Sequence, residues 1–481
     1  MSVDVQPSDA ETPTELKRAI TGRLLYFYVL GDVLGSGIYV LVGVVAGAVG
    51  GAFWSAFAVG VAIATLAGLA YAELATKYPQ AAGASLYVER AFGNRVVTFL
   101  VTIAMLSAAL AASGALATGF GSYFAELWEG PPLLLVAIAL VLVLSTINFL
   151  GITESVMTNV VMTIVELTGL VLVVLIAVVY TSRGDADFAV LTDFNAQDGV
   201  LLAIVSGVAF SFFSMTGFEN AVNVAEEVIE PEKAFPRALI GGMLTAGVVY
   251  VLVAVSASLV VDVETLSGSD AALLEVVKAD VLPISAGVLG TIFSIIAMVA
   301  ITNTTLVTMV TPSRILYGMA KEDVVPRAFS RVHSGRRTPA VAISFSTAVV
   351  CALLLAGWAL NKAGVGVDVV ARLATVTVVF LLFIYALVIV SALVLRGDDE
   401  TEHTYRAPTA LLALGVLGNV VLLGYVVWDD PHALIWCGAL LAIGGALFAV
   451  QYATSTRRGV EIGGGARAQR RTPDSDGRPT V

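Results

Sequence analysis

Residues 210–231 read Phe-Ser-Phe-Phe-Ser-Met-Thr-Gly-Phe-Glu-Asn-Ala-Val-Asn-Val-Ala-Glu-Glu-Val-Ile-Glu-Pro. An apolar run there gives way to Ser214, Thr216, Gly217, Glu219, Asn220 and Asn223. Near the start of the chain, Gly31-Asp32-Val33-Leu34-Gly35-Ser36-Gly37-Ile38 repeats the pattern. An ionised carboxylate inside an apolar span costs about 3 kcal/mol on insertion scales and more in simulations. Such groups are tolerated only where they face protein, a cavity or a ligand. A small-residue break beside a carboxylate therefore points to a discontinuous helix at a binding site. A helix that restarts at about Ile38 leaves free N–H groups near Ser36 to Ile38. A helix N-terminus carries about half a positive charge and holds carboxylates. A helix that stops near Phe213 leaves carbonyls to accept from an ammonium group. The pair of breaks thus matches an α-amino acid zwitterion.

The elements that must position these residues follow from composition. The chain has 481 residues, 58% hydrophobic and only 13% charged, with a mean hydropathy of +0.91. Soluble proteins average about a quarter charged. Twelve apolar runs approach or exceed the about 20 residues needed to cross a bilayer: 24–50, 52–75, 96–124, 133–150, 156–180, 201–225, 238–261, 284–311, 340–360, 369–395, 411–427 and 433–453. They lack the ten-residue alternation of barrel strands, so they are read as helices. The expected fold is an all-α polytopic membrane protein with twelve transmembrane helices, helices 1 and 6 being discontinuous. Matching interruptions five helices apart point to a five-plus-five inverted repeat, with the site at the repeat interface. The expected division is a cytoplasmic segment 1–23, a first repeat 24–180, a second repeat 201–395, two extra helices over 409–453, and a tail 454–481 of disordered composition.

Charge sets the orientation. One set of loops holds Lys17, Arg18, Arg23, Lys77, Arg90, Arg95, Lys233, Arg237, Arg314, Lys321, Arg327, Arg331, Arg336, Arg337, Arg396 and Arg406, and the basic tail joins them. The opposite loops hold Arg183, Lys278 and Lys362, while Arg372 lies inside the tenth run. The positive-inside rule then places both termini in the cytoplasm of a multi-pass protein of the cell membrane. A net charge of −11 argues against a nucleic-acid partner. Cys351 and Cys437 lie in apolar runs and imply no disulfide or metal framework. No metal ligand set is assigned. The first residues are polar and the run after them is too long for a signal peptide. No GxxxxGK[ST] loop occurs, which argues against ATP-driven transport. Gly31-Asp32 lacks the glycine two positions earlier that an intramembrane protease motif needs; Val29 stands there. The chain is not read as an enzyme.

An ordered set of motifs carries a resemblance. Residues 31–38 are similar to the first-helix motif of the amino acid–polyamine–organocation superfamily. Residues 71–83, Tyr-Ala-Glu-Leu-Ala-Thr-Lys-Tyr-Pro-Gln-Ala-Ala-Gly, resemble its second-helix exit. Asn148-Phe-Leu-Gly-Ile resembles the end of its fourth helix, and Thr216-Gly-Phe-Glu through Glu226-Glu227 and Pro231 its sixth. Ser313-Arg-Ile-Leu-Tyr through Pro326 resembles the exit of its eighth.

The resemblance spans about residues 20 to 455. It implies a secondary active transporter, by cation-coupled symport or exchange, that moves amino acids by alternating access. It implies substrate contacts at Gly35, Ser36, Gly37, Ile38, Phe213, Ser214, Thr216 and Gly217, with Phe213 as an aromatic gate. It matches Glu219 to a sixth-helix carboxylate that ties the break to its neighbours or titrates, and Asp32 is grouped with it. Coupling sites of related proteins use the first, fifth and eighth helices, which here offer Glu166, Thr302 and Asn303. Some proton-coupled members carry a Lys at the position of Glu166. A Lys stands in for a cation, whereas a Glu binds one or carries a proton. No cofactor is implied beyond a coupling proton or Na⁺. A polyamine or other organic cation is the alternative substrate, and a channel or nutrient sensor the alternative class. Glu226 and Glu227 are read as solvated caps, Glu73 as structural, and 270–281 as a short surface helix.

Overall fold

The computed structural model describes residues 16, 18–81, 83–128, 130–195, 199–269, 271–322, 324–363, 369–397, 404–429 and parts of 431–442. The chain winds into fifteen α-helices among these residues. They are α1 Gly22–Leu34, α2 Ser36–Val49, α3 Trp54–Lys77, α4 Gly83–Phe92, α5 Arg95–Leu127, α6 Leu133–Leu150, α7 Ile152–Ser182, α8 Val200–Ser214, α9 Pro231–Val260, α10 Val263–Ser267, α11 Ala272–Lys278, α12 Ala286–Lys321, α13 Ala340–Lys362, α14 Val369–Val394 and α15 Thr409–Asp429. A 3-10 segment, Phe218–Glu227, follows α8. Local signals set several starts. The Asn94 side chain accepts from the N–H groups of Val96 and Val97 at the head of α5. Pro231 opens α9, where its missing N–H is harmless.

Ten helices among the described residues are long and apolar enough to cross a membrane, or eleven if the bent pair at the start counts as one span. Large apolar side chains such as Leu135, Val161, Val171 and Val248 are exposed along α6, α7 and α9, as contact with hydrocarbon requires. The chain is a multi-pass membrane protein. The expected run 433–453 falls mostly outside the described residues, as do residues 1–15, the tail 454–481 and the side chain of Arg372.

Counting α1–α2 as the first span and α8 with its 3-10 segment as the sixth, the spans pack in two groups. The first, second (α3), sixth and seventh (α9) spans pack on one another. So do the third (α5), fourth (α6), eighth (α12) and ninth (α13). The fifth span, α7, lies against α1, α9 and α12, and the tenth, α14, against α3, α5 and α15.

Three elements differ from the sequence expectation. Residues 83–92, read as loop, form α4, which buries Leu86, Tyr87 and Val88. The loop after α9 carries two short helices rather than one surface helix. Its Leu266, Leu273 and Val276 are buried, and α10 and α11 pack on α2. The eighth span continues through Pro312 to Lys321 because Thr311 to Ala320 are buried in protein, and that packing overrides the helix-breaking tendency of proline.

The end of the molecule that carries the basic loops is closed by ion pairs. Glu227, expected as a solvated cap, is fully buried. Its carboxylate accepts from Arg314 Nε at 3.3 Å, and both side chains are inaccessible. Arg314 Nη1 also donates to Asn148 Oδ1 at 2.5 Å. The backbone of Ala19 and Ile20 donates to the Glu227 carbonyl at 2.9 and 3.0 Å, and Ile229 N–H returns to the Ile20 carbonyl at 2.8 Å. Glu226 pairs with Lys321 at 2.8 Å, and Glu73 with Arg396 at 2.9 Å. The structural reading of Glu73 fits this. Removing one partner of a buried pair leaves an uncompensated charge and costs about 3–5 kcal/mol, whereas replacing both by apolar groups is close to neutral. Arg314→Met should therefore lower thermal stability sharply in detergent. Arg314→Met combined with Glu227→Leu should recover most of the loss, as read by fluorescence size-exclusion melting curves.

Candidate functional site

The first span breaks at Gly35, between the end of α1 at Leu34 and the start of α2 at Ser36. The restart falls two residues before the expected Ile38. Further along the same span, Gly22–Tyr39 and Leu41–Val49 are inclined at 62°. Glycine is needed here for close approach. A Cβ on Gly35 would strike the Thr304 side chain of α12, and one on Gly37 would lie 2.6 Å from Ser214 Cα. The glycines thus bring three spans together as well as bordering open space.

In the sixth span α8 ends at Ser214, and the chain turns through Gly217, whose φ of +119° favours glycine. The carbonyls expected to face a ligand are already engaged. The Phe213 carbonyl accepts from Thr216 N–H at 3.1 Å and from the Thr216 hydroxyl at 2.8 Å. The Ser214 carbonyl accepts from the Tyr250 hydroxyl at 3.0 Å. That hydroxyl also bonds the Val33 carbonyl in the first span. The tight turn after α8 and the neighbouring α9 supply these donors because a freed carbonyl in hydrocarbon has no water.

What remains open is a carboxylate and a hydroxyl. Asp32 is 2% exposed and Ser214 3% exposed. Asp32 Oδ2 accepts from Asn220 Nδ2 at 2.7 Å, and Asn220 Oδ1 accepts from the Thr311 hydroxyl at 2.7 Å. Asp32 Oδ1 and Ser214 Oγ have no hydrogen-bond partner. Glu219 ties the break to its surroundings. Its Oε2 accepts from Gly217 N–H at 2.8 Å and from the Tyr385 hydroxyl of α14 at 2.5 Å.

Both breaks border one cavity of 630 Å³, lined by Asp32, Gly35, Gly37, Phe213, Ser214, Thr216, Gly217 and Glu219 among others. Phe210 lines it too, while Phe212 is buried behind it against Tyr385. Ile38 is fully buried and does not border the cavity. The Ser36 side chain lies outside the described residues. The cavity runs from the breaks past Val44 of α2 to Asp429 at the end of α15, away from the basic loops.

The carboxylate of Glu166 is fully buried outside this cavity. Its Oε2 accepts from Asn303 Nδ2 at 3.4 Å. Asn303 Nδ2 also reaches the Gly31 carbonyl at 3.2 Å and Thr163 Oγ1 at 3.1 Å, and Asn159 Nδ2 donates to Asn303 Oδ1 at 2.8 Å. Glu166 Oε1 and Asn159 Oδ1 have no hydrogen-bond partner. The expected partner Thr302 does not join this cluster; its hydroxyl donates to the Met298 carbonyl in its own helix at 2.8 Å. Asn159 and Thr163 were missed from sequence. Their spacing of four and then three residues to Glu166 is the signal of one helix face. Tyr250, Tyr385 and Thr311 offered no comparable pattern.

Known proteins match the chain along most of its length. The profile of a family described as amino acid permease matches residues 23–451. The branched-chain amino acid permease BcaP of Bacillus subtilis (strain 168) is 24% identical over 445 residues, covering 86% of this chain and 91% of that protein. The serine/threonine exchanger SteT of the same strain is 24% identical over 458 residues, covering 92% and 98%. Its methylthioribose transporter is 24% identical over 455 residues, covering 88% and 93%. The chain belongs to the amino acid permease family, within the amino acid–polyamine–organocation superfamily.

Proposed function

We propose that the protein is a secondary active transporter that carries an α-amino acid across the cell membrane by alternating access, with both termini cytoplasmic. The observation that carries this reading is the cavity that ends on two helix breaks. The start of α2 offers N–H groups and a positive dipole end to the substrate carboxylate. The free Asp32 Oδ1 and Ser214 Oγ offer acceptors to its ammonium group. The relatives' names cover branched-chain amino acids, serine or threonine, and methylthioribose, so they support transport of small solutes more than any one side chain.

The proposed architecture has twelve helices, ten of them in a five-plus-five inverted repeat. The packing groups support it. A shift of five exchanges the first span with the sixth and the second with the seventh, and likewise the third with the eighth and the fourth with the ninth. In this orientation the cavity faces outward and the Arg314–Glu227 end is the closed inner face.

A second reading has one observation behind it. The charged residues that line the cavity, Asp32, Glu219 and Asp429, are all acidic, which favours a polyamine or other organic cation. Competition decides between them. Amino acids should displace bound substrate, and their methyl esters or decarboxylated amines should compete at least about tenfold less well, since a lost charge-assisted contact is worth about 1.5–3 kcal/mol. Equal competition by amines would favour the organic-cation reading. Asp32→Asn should weaken amino acid binding by about tenfold or more on the same scale.

Coupling is assigned to Glu166, which would carry a proton or sit ionised beside Na⁺ with Asn159, Thr163 and Asn303 around it. One coupled charge at 100 mV is worth about 2.3 kcal/mol, or about a fiftyfold concentration ratio. Glu166→Gln keeps size and removes the titratable charge. Accumulation driven by an imposed proton or Na⁺ gradient in proteoliposomes should collapse towards unity, while exchange of preloaded substrate persists. A variant that keeps the wild-type response to both gradients would remove Glu166 from the coupling step.

A further inference from the structure

A second, smaller recess of 190 Å³ lies between α1 and α9, at the end that carries the basic loops. Gly22, Arg23, Tyr26, Phe27, Arg237 and Ala238 line it. Both arginines are exposed. Neither pairs with a carboxylate among the described residues. Glu230 is taken by Lys233 at 3.2 Å, and no ion pair joins Glu232 to Arg237. An α-helix leaves its first N–H groups without partners inside the helix. Thr21 Oγ1 takes the one on Leu24 at 3.4 Å, and those of Gly22 and Arg23 stay open among the described residues.

The aromatic wall is fixed. The Tyr26 hydroxyl donates to Thr245 Oγ1 at 2.8 Å, a bond from α1 to α9. Its ring lies beside Gly241, where a Cβ would sit 3.5 Å away. Phe27 meets Tyr26 edge-on, with centroids 5.5 Å apart. Two unpaired guanidinium groups and open N–H groups around a small recess suit an oxyanion with several acceptor oxygens, such as a phosphate.

The surface below the recess says where such a phosphate comes from. Arg237, Gly241, Leu244 and Val248 are spaced by four, three and four residues, so they share one face of α9. Leu244 and Val248 are exposed. At 1.5 Å per residue they lie about 10 Å and about 16 Å beyond Arg237, which is the depth of one leaflet's hydrocarbon. The face thus runs from a guanidinium at the headgroup level into an apolar stripe, with tyrosine at the interface where amphipathic rings settle.

We propose that the recess binds the phosphate of an anionic phospholipid between Arg23 and Arg237, with an acyl chain lying along Leu244 and Val248. A choline or ethanolamine headgroup would bring a third cation beside the two arginines, whereas phosphatidylglycerol brings none. Such a site goes beyond the transporter reading and stands without it.

The test is native mass spectrometry of the purified full chain in neutral detergent, titrated with phosphatidylglycerol, with phosphatidylcholine of the same chains, and with glycerol 3-phosphate. The first phosphatidylglycerol should bind at least about tenfold tighter than phosphatidylcholine, and glycerol 3-phosphate at matched concentration should not displace it. A basic residue at the membrane surface is worth about fivefold in affinity. Arg23→Gln and Arg237→Gln should each weaken phosphatidylglycerol by about that factor, and the double variant by about twenty-five-fold. Both side chains are exposed, so the fold should hold. Arg331→Gln, exposed in a basic loop, should stay within about twofold of wild type. Equal losses from Arg331→Gln and Arg237→Gln would reduce the site to diffuse attraction and overturn it. Equal binding of the two lipids would do the same. Displacement by glycerol 3-phosphate would leave an ion site and remove the lipid.

Discussion

The hydroxyl of Tyr250 touches the Val33 and Ser214 carbonyls, one from each broken span. A helix interrupted inside hydrocarbon frees backbone groups that have no water to turn to. Each interruption is therefore viable only where side chains from elsewhere replace the missing turn. Tyr250 does this for the carbonyls, Glu219 for the N–H of Gly217, and Thr304 fits against the bare Gly35. The breaks, the cavity and the position of α9 against α1 all depend on that substitution. The free oxygens of Asp32 and Ser214 are what is left once the backbone has been satisfied.

The two packing groups give this arrangement its division of labour. Both breaks lie in one group, which also supplies Tyr250. The other group supplies α5 and α12, which wall the cavity with small apolar side chains and threonines. Charge is distributed in the same way. Buried ion pairs and hydrogen bonds crowd the end with the basic loops, and the opposite end holds the open cavity. A low-dielectric setting makes each of those pairs costly to leave half-made, so the closed end is held together as one set of contacts.

Much of this was legible in the sequence because lipid imposes simple rules. Apolar runs marked the spans, Gly35 and Gly217 the breaks, and Asp32 and Glu219 the cavity floor. The readings that differed involve contacts between distant segments. Nothing near Phe213 in sequence says that Thr216 and Tyr250 take up the last carbonyls of α8. Glu227 looked like a solvated cap until Arg314, 87 residues away, was found beside it. Thr302 and Asn303 are adjacent in sequence but face differently on a helix, so only Asn303 meets Glu166. Gly37 read as room for a ligand, yet its missing side chain also makes room for Ser214.

The 3-10 winding of Phe218–Glu227 has a rotational consequence. At three residues per turn, positions 218, 221, 224 and 227 stack on one side, and 220, 223 and 226 on another. Asn220 meets Asp32 and Thr311, Glu226 meets Lys321, and Glu227 meets Arg314 under that winding. An α-helix advances about 100° per residue and a 3-10 helix about 120°. Over the nine steps from Phe218 to Glu227, the difference sums to about half a turn. Wound as an α-helix from the same starting point, this segment would carry Glu227 to the side away from Arg314. The contact of Glu227 with Arg314 therefore goes with the 3-10 winding of the sixth span.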